Sequence, residues 1–317
     1  MDRIAGRTGV SLMGETSQRA VDCSILVVAF HSRDDLRTLL ASVPAACAGI
    51  DWHLTLVNNA EDDPLDEFVG IDPRVSVVEA GDNLGYSGAL NVGLRAAPAA
   101  EWTLFLNPDL TLTAGAAAEL RRALHAGAGA AVPLVLGPTG EREDSVRREP
   151  SLHAAAGEAL FGDHWPSRPA WLAETVRDPA AYAVPHAIDW ATGAALAVRA
   201  DVIAAVGAWD AARFFMYSEE TDYARRIRAL GHRVVFTPTA VVRHRGGGSG
   251  SSARLDALLE VNKVVYYRKW HRFPPSLLFA GVQLVRNLVR PHRAGSRLAV
   301  RAMFSRQVRR SLPGGRG

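Results

Sequence analysis

Four short stretches of this 317-residue chain place polar side chains where chemistry could occur. In "FLNPDL" (105–110) an apolar run stops and Asn107, Pro108 and Asp109 follow. All three are turn formers. A carboxylate at that point is equally a ligand for Mg²⁺ or Mn²⁺, ions that complete their shell with waters and phosphate oxygens. One carboxylate does not make a site, and His244 in "VVRHRGGGS" (241–249) is the candidate second donor. Imidazole suits Mn²⁺. Arg243, Arg245 and the backbone N–H groups of Gly246 to Gly248 could receive phosphate oxygens, although the same residues also read as a solvated basic turn. In "SEETD" (218–222), Glu219 and Asp222 lie three apart and share a helical face, while Glu220 points elsewhere. Acids there complement a helix dipole. The preceding "FFMY" should bury the helix start, and a carboxylate beside buried aromatics can act as a general base. In "DNLGYSGALNVG" (82–93), Gly85, Gly88 and Gly93 permit close backbone approach, and Asn83 and Asn91 supply hydrogen bonds. The glycines match no dinucleotide or Walker fingerprint, which disfavours a dinucleotide enzyme. Close helix–sheet packing explains them as well.

The elements around these stretches alternate. "SILVVAF" (24–30), "HLTLVNN" (53–59), "RVSVVEA" (74–80), "WTLFL" (102–106) and "AAVPLVL" (130–136) read as strands. Segments 32–43, 85–97 and 114–126 between them read as helices. This pattern predicts an α/β fold, a mostly parallel sheet flanked by helices. Ligands in such sheets sit outside the carboxyl ends of the strands. His31, Asn58, Asn59, residues 81–83 and residues 107–109 therefore converge on one crevice. Residues 137–187 are irregular and read as a lid or substrate loop. A strand and a helix follow over 187–210, a helix begins near Glu219 and ends at Gly231, and two short strands precede the Gly/Ser loop.

Bulk properties bound the reading. With 48% apolar residues the chain can bury a sizeable core. Cys23 and Cys47 read as reduced core thiols. Residues 1–21 read as a frayed leader without a secretory signal, and no run of 18 clean apolar residues predicts a membrane span. From Val261 onward there are 13 Lys and Arg and no Asp or Glu, which leaves 23 basic against 33 acidic side chains in the first 260 residues. A wholly basic tail on an acidic body suggests an anionic partner. The segments 275–290 and 295–310 mix apolar stripes with arginines, as helices lying on an anionic membrane surface do; packing on the rest of the chain is the other reading. Nucleic acid is disfavoured, since no aromatic-interleaved platform or binding motif accompanies the charge.

Taken in order, "SILVVAFHS", "LVNNAEDDP", "DNLGYSGALNVGL", "FLNPDL", "DWATGAALAVR" and "FFMYSEETDYARRIRALGHRVVFTPTAVVRHRGGGS" resemble family 2 glycosyltransferases of the GT-A fold. They are most similar to the rhamnosyltransferase-like branch of bacterial cell-wall and polysaccharide assembly. The resemblance spans about residues 22–270. It implies a GT-A catalytic domain over 22–250, followed by a basic helical tail over 251–317. It implies a nucleotide-sugar donor, dTDP-rhamnose first among them, and a glycan or polyprenyl-diphosphate-linked acceptor. It makes Asp109 and His244 the metal-side residues, and Glu220 the catalytic base, with Glu219 and Asp222 beside it in the family's acidic element. The substrate-binding set becomes Phe30, His31, Asn58, Asn59, Asn83, Gly85, Tyr86, Asn91, Asn107, Trp190, Gly193, Arg243 and Arg245. Three positions depart from the family: Asn58 and Asn107 stand where Asp is usual, and Glu220 is one methylene longer than the usual Asp. These departures keep open a non-catalytic protein of the same fold that binds nucleotide-sugar or glycan.

Overall fold

The computed structural model describes residues 20–162, 164–246 and 252–315. Most of the predicted leader and the Gly247–Gly248 part of the basic loop lie outside them. The strands are β1 (Val21–Ala29), β2 (Trp52–Asn58), β3 (Val75–Glu79), β4 (Ala100–Leu106), β5 (Leu110–Leu112), β6 (Ala130–Leu136), β7 (Val146–Arg147), β8 (His186–Ile188), β9 (Trp190–Ala191), β10 (Ala195–Arg199) and β11 (Val234–His244). The helices are α1 (Arg33–Ala46), α2 (Gly85–Ala96), α3 (Ala116–His125), α4 (Leu152–Leu160), α5 (Ala200–Val206), α6 (Glu219–Ala229), α7 (Ala253–Trp270), α8 (Phe273–Leu288), α9 (Ala294–Phe304) and α10 (Arg306–Arg310).

Among the described residues nine strands form one sheet in the order β3-β2-β1-β4-β10-β6-β11-β5, with β8 also on β11. Strands β3, β2, β1 and β4 are parallel, and β10 runs against both β4 and β6. The apolar run of β1 is covered on both faces, as its unbroken hydrophobicity requires. Ile25 and Val27 face a core shared with α1 and α3, whereas Leu26 and Val28 face one shared with α2 and α6. The order reverses between β1 and β4, so a crevice opens beyond Ala29 and Leu106.

Where two short strands are expected, β11 is one strand with a register shift between Thr237 and Val241. Pro238 has no N–H for the ladder, so pairing with β6 breaks there and resumes. The two halves take different outer partners, β8 at Val234–Phe236 and β5 at Val242–His244.

The excursion after β6 is ordered by packing. Strand β7 pairs with β9, and α4 lies against α8. The ring of Tyr267 stacks on Phe279 at 4.0 Å, with Ala155 of α4 in the same cluster. Helix α7 is fastened to the sheet domain by polar contacts. The side chain of Asn262 donates to the carbonyls of Met216 and Tyr217 at 2.7 and 3.2 Å. Asp222 on α6 is fully buried and meets Lys269 Nζ at 2.7 Å, Arg226 Nε at 2.9 Å and Trp270 Nε1 at 2.9 Å. The C-terminal helices thus pack on the body of the molecule.

Removing one partner of such a buried pair strands the others in a medium that solvates them poorly. Asp222→Ala is expected to lose about 3–5 kcal/mol of folding stability, read as a lower denaturant midpoint; an unchanged midpoint would show that the lock between α6 and α7 carries no weight.

Candidate active site

Two cavities occupy the crevice, and both are lined by Tyr86, Asn107 and Met216. The first, of about 600 Å³, is bordered by Phe30 and Val28 of the β1 end, by Asn59, Asn83 and Gly85, by Asp109 and by His244. The second, of about 460 Å³, is bordered by Trp190, Thr192 and Gly193, and by Glu219 and Glu220.

Antiparallel pairing of β5 with β11 brings Asp109 and His244 together across 135 residues of sequence: His244 stands opposite Leu110, and the Arg245 N–H donates to the Asp109 carbonyl at 3.0 Å. His244 Nε2 lies 3.2 Å from Asp109 Oδ2, and its Nδ1 faces Glu143 Oε1 at 3.2 Å. The hydrogen bond with Asp109 holds the imidazole pKa above its ordinary value against the opposing effect of burial. A carboxylate and an imidazole at the rim of one cavity suit a divalent cation whose remaining ligands come from a diphosphate. Glu143 sits across the ring from Asp109, so these three do not converge, and no cluster of three such donors occurs among the described residues.

The loop before α2 is positioned by Asn59. Its amide donates to Asn83 Oδ1 at 3.1 Å, and its carbonyl oxygen accepts the Leu84 N–H at 2.9 Å. Gly85 has φ +70°, and a Cβ there would fall 2.2 Å from the Phe215 carbonyl oxygen. The adjacent Tyr86 N–H donates to that same oxygen at 2.8 Å. Glycine is required at this position.

The second cavity is closed by the start of α6. Tyr217 and Ser218 have φ of +68° and +69°, and with His31 they are the non-glycine residues with positive φ among the described residues. Tyr217 lines the second cavity and Ser218 directly precedes α6; strain of this kind commonly collects at such sites. The turn they make delivers Glu219 and Glu220 side by side. Each has one carboxylate oxygen buried without a hydrogen-bond partner among the described residues. Burial, with the charge of Glu220 beside it, pushes the Glu219 pKa far up, and burial raises that of Glu220 to about 7. Close carboxyls in one site share protons as a pair. Gly193 lies against the Glu220 side chain.

Several predicted site residues are elsewhere. Glu219 and Glu220 share the cavity, whereas Asp222 faces α7 in the buried network described above, because the helix end rather than a helix side abuts the cavity. Asn91 brackets Trp209, donating to its carbonyl and accepting its N–H, both at 2.9 Å. Asn58 closes the following turn through the Asp63 carbonyl and the Ala60 N–H. Arg243 is exposed on the strand face opposite His244, as period-two alternation dictates. His31 and Arg245 border a separate shallow groove, where Arg245 pairs with Asp35. Trp190 is a buried wall residue of the second cavity that donates to the Arg148 carbonyl at 2.9 Å. Phe215, Arg147, Lys263 and Arg286 also line the cavities; lone arginines and lysines carry no pattern that would have marked them.

Residues 24–176 match the family model described as Glycosyl transferase family 2. Over that segment the chain is similar to the family 2 glycosyltransferases. It is 28% identical over 306 residues to the N-acetylglucosaminyl-diphospho-decaprenol L-rhamnosyltransferase of Mycobacterium tuberculosis, covering 91% of this chain and 96% of the relative. Among solved structures it is similar to GalNAc-T7 with UDP, GalNAc and Mn²⁺ (TM-score 0.55, 16% identity, 84% of this chain and 55% of that one). It is also similar to the mannosyltransferase PcManGT from Pyrobaculum calidifontis in complex with GDP-Man and Mn²⁺ (TM-score 0.53, 14% identity, 94% and 78%). The fold is that of GT-A, a large mostly parallel sheet flanked by helices, as the sequence motifs implied.

A carboxyl whose folded pKa is raised stabilises the fold below its unfolded value, and that stability is lost as pH rises through the folded value. Glu220→Gln removes this cost, so the variant is expected to gain on the order of 1 kcal/mol of stability at pH 8 and little at pH 5. Equal thermal shifts at both pH values would refute the desolvated carboxyl.

Proposed function

We propose that the chain transfers a sugar with inversion from a nucleotide-sugar to a glycan or polyprenyl-diphosphate-linked acceptor, with dTDP-rhamnose the first donor to test. The observation that carries this reading is the meeting of two cavities at Tyr86 and Asn107, one with cation-type donors and the other with a pair of desolvated carboxyls. Support for the sugar and acceptor comes from the mycobacterial relative, whose name specifies both.

In this reading the first cavity holds the donor. Asn59, Asn83 and Gly85 shape its floor, and Asp109 with His244 holds a divalent cation, Mg²⁺ or Mn²⁺, against the diphosphate. When bound, such a cation neutralises charge on the departing diphosphate. Glu220 borders the second cavity with part of its surface accessible, whereas Glu219 is buried, which favours Glu220 as the base. Its carboxylate takes the acceptor hydroxyl proton while that oxygen attacks the anomeric carbon and the bond to the diphosphate oxygen breaks. A single displacement inverts the anomeric centre. Glu219, held protonated by the same burial, keeps a second negative charge away from the base.

Glu220→Gln is expected to lower kcat by roughly 10²–10⁴-fold, and Asp109→Ala to abolish metal-dependent turnover. The wild-type rate should rise with pH through about 7, as Glu220 loses its proton. Nucleotide-sugar binding with no turnover in any donor and acceptor combination would instead establish a binding protein.

Attachment to an anionic membrane surface is part of the proposal. No helix among the described residues is long and apolar enough to cross a membrane. Helix α8, however, buries Ser276, Gln283 and Asn287 beside Phe279, while Leu277, Leu278, Val285 and Leu288, with Val289 just past its end, are each more than half exposed. With the surrounding basic tail, this face suits an anionic bilayer interface. Leu278→Asp combined with Val285→Asp should cut sedimentation with phosphatidylglycerol vesicles by roughly tenfold at an unchanged melting temperature; undiminished sedimentation would locate the contact elsewhere.

A further inference from the structure

The second cavity contains more charge than a sugar hydroxyl and its base require. Arg147 of β7, Lys263 of α7 and Arg286 of α8 converge on it from three separate elements. We infer that these three cations form a subsite for the diphosphate of the acceptor, distinct from the cavity that takes the donor diphosphate. The inference rests on the acceptor class proposed above and assigns the residues that would recognise it.

The charges are available for an anion. The Arg147 guanidinium is held by backbone carbonyls of Asp144 and Val146, and it makes no ion pair among the described residues. Lys263 Nζ pairs with Glu260 at 3.6 Å, and its charge also acts on the buried Glu174. Arg286 pairs with Glu260 through Nη1, and its buried Nε has no hydrogen-bond partner among the described residues. Four carboxyls also line the cavity. Glu158 is paired with the buried Arg168. Burial raises the pKa of Glu174, as it does those of Glu219 and Glu220, and so favours their protonated forms. Among the described residues Arg147 makes no ion pair, and Lys263 makes one long one, to Glu260. A diphosphate offers what this arrangement lacks, since charge-assisted bonds from guanidinium to phosphate are short and strong in a poorly hydrated site.

Position supports the same ligand. The cations share a cavity with Glu220, so a sugar hydroxyl can meet the base while the phosphates attached to that sugar stay in the same space. Arg286 projects from the inner side of α8, whose outer side is the exposed apolar face. A lipid chain leaving the phosphates would pass onto that face. One helix then handles both ends of a polar–apolar acceptor.

The test compares two acceptors, N-acetylglucosamine diphosphate on a short prenyl chain and N-acetylglucosamine on an uncharged alkyl chain. In the Arg147→Gln/Lys263→Met variant the preference for the diphosphate acceptor, as a ratio of kcat/KM values, is expected to fall by about tenfold or more. Arg147→Lys with Lys263 intact should retain part of it. An unchanged preference would overturn the subsite. A second measurement does not depend on turnover. With the donor cavity filled by saturating nucleoside diphosphate and Mg²⁺, inorganic pyrophosphate should raise the melting temperature of the wild type and not of the double variant. Equal protection of both, or of neither, would overturn the subsite. Protection confined to the wild type without transfer to any acceptor would keep the subsite and reject the proposed reaction.

Discussion

Two adjacent glutamates, Glu219 buried and Glu220 half-buried, stand side by side at the first turn of α6, and much of the structure serves to keep them there. Burying carboxyl groups without partners is costly, so the helix end must be fixed by other contacts. The left-handed turn at Tyr217 and Ser218 aims the helix at the cavity, and Asn262 of α7 binds the backbone of that turn. Asp222, three residues into the helix, anchors it through Lys269 and Trp270. Stability invested in that anchor offsets the unfavourable placement of the pair.

The site divides its chemistry by location. Asp109 and His244 face one cavity, and the glutamates face the other. The Asp109–His244 pair is thereby kept apart from the carboxyls whose pKa burial raises. Asn107 and Tyr86 stand at the junction. Asn107 is neutral, so Asp109 is the carboxylate of the "NPD" turn at the first cavity.

The C-terminal helices are basic, and their sequence left membrane-surface attachment and packing on the rest of the chain both open. In the structure they border both cavities. Leu255 and Pro313 line the first cavity, and Leu259, Lys263 and Arg286 line the second. The matched segment, residues 24–176, supplies Asp109, but the walls of the second cavity come largely from later residues. The same helices that expose an apolar face to the surroundings therefore complete the interior of the site.

Local sequence determined the alternation of strands and helices, because continuous apolar runs such as that of β1 and the period of α1 follow from short-range physics. It also marked Asp109, His244, Glu219, Glu220 and the Asn83–Tyr86 loop, whose residue types suit a ligand at strand ends. The limits of that reading are equally physical. Spacing grouped Asp222 with Glu219, yet a helix approaching end-on presents successive residues, and Asp222 turned to Lys269, 47 positions later. Arg243 and Arg245 flank His244 in sequence, and strand alternation puts them on other surfaces. Arg147, Lys263 and Arg286 had no local signature, since their meaning lies only in convergence from three distant elements. The sequence by itself determined which elements form and which strand ends carry polar groups. Only the tertiary structure decided which of those groups share a cavity, because that depends on long-range packing among β7, α6, α7 and α8.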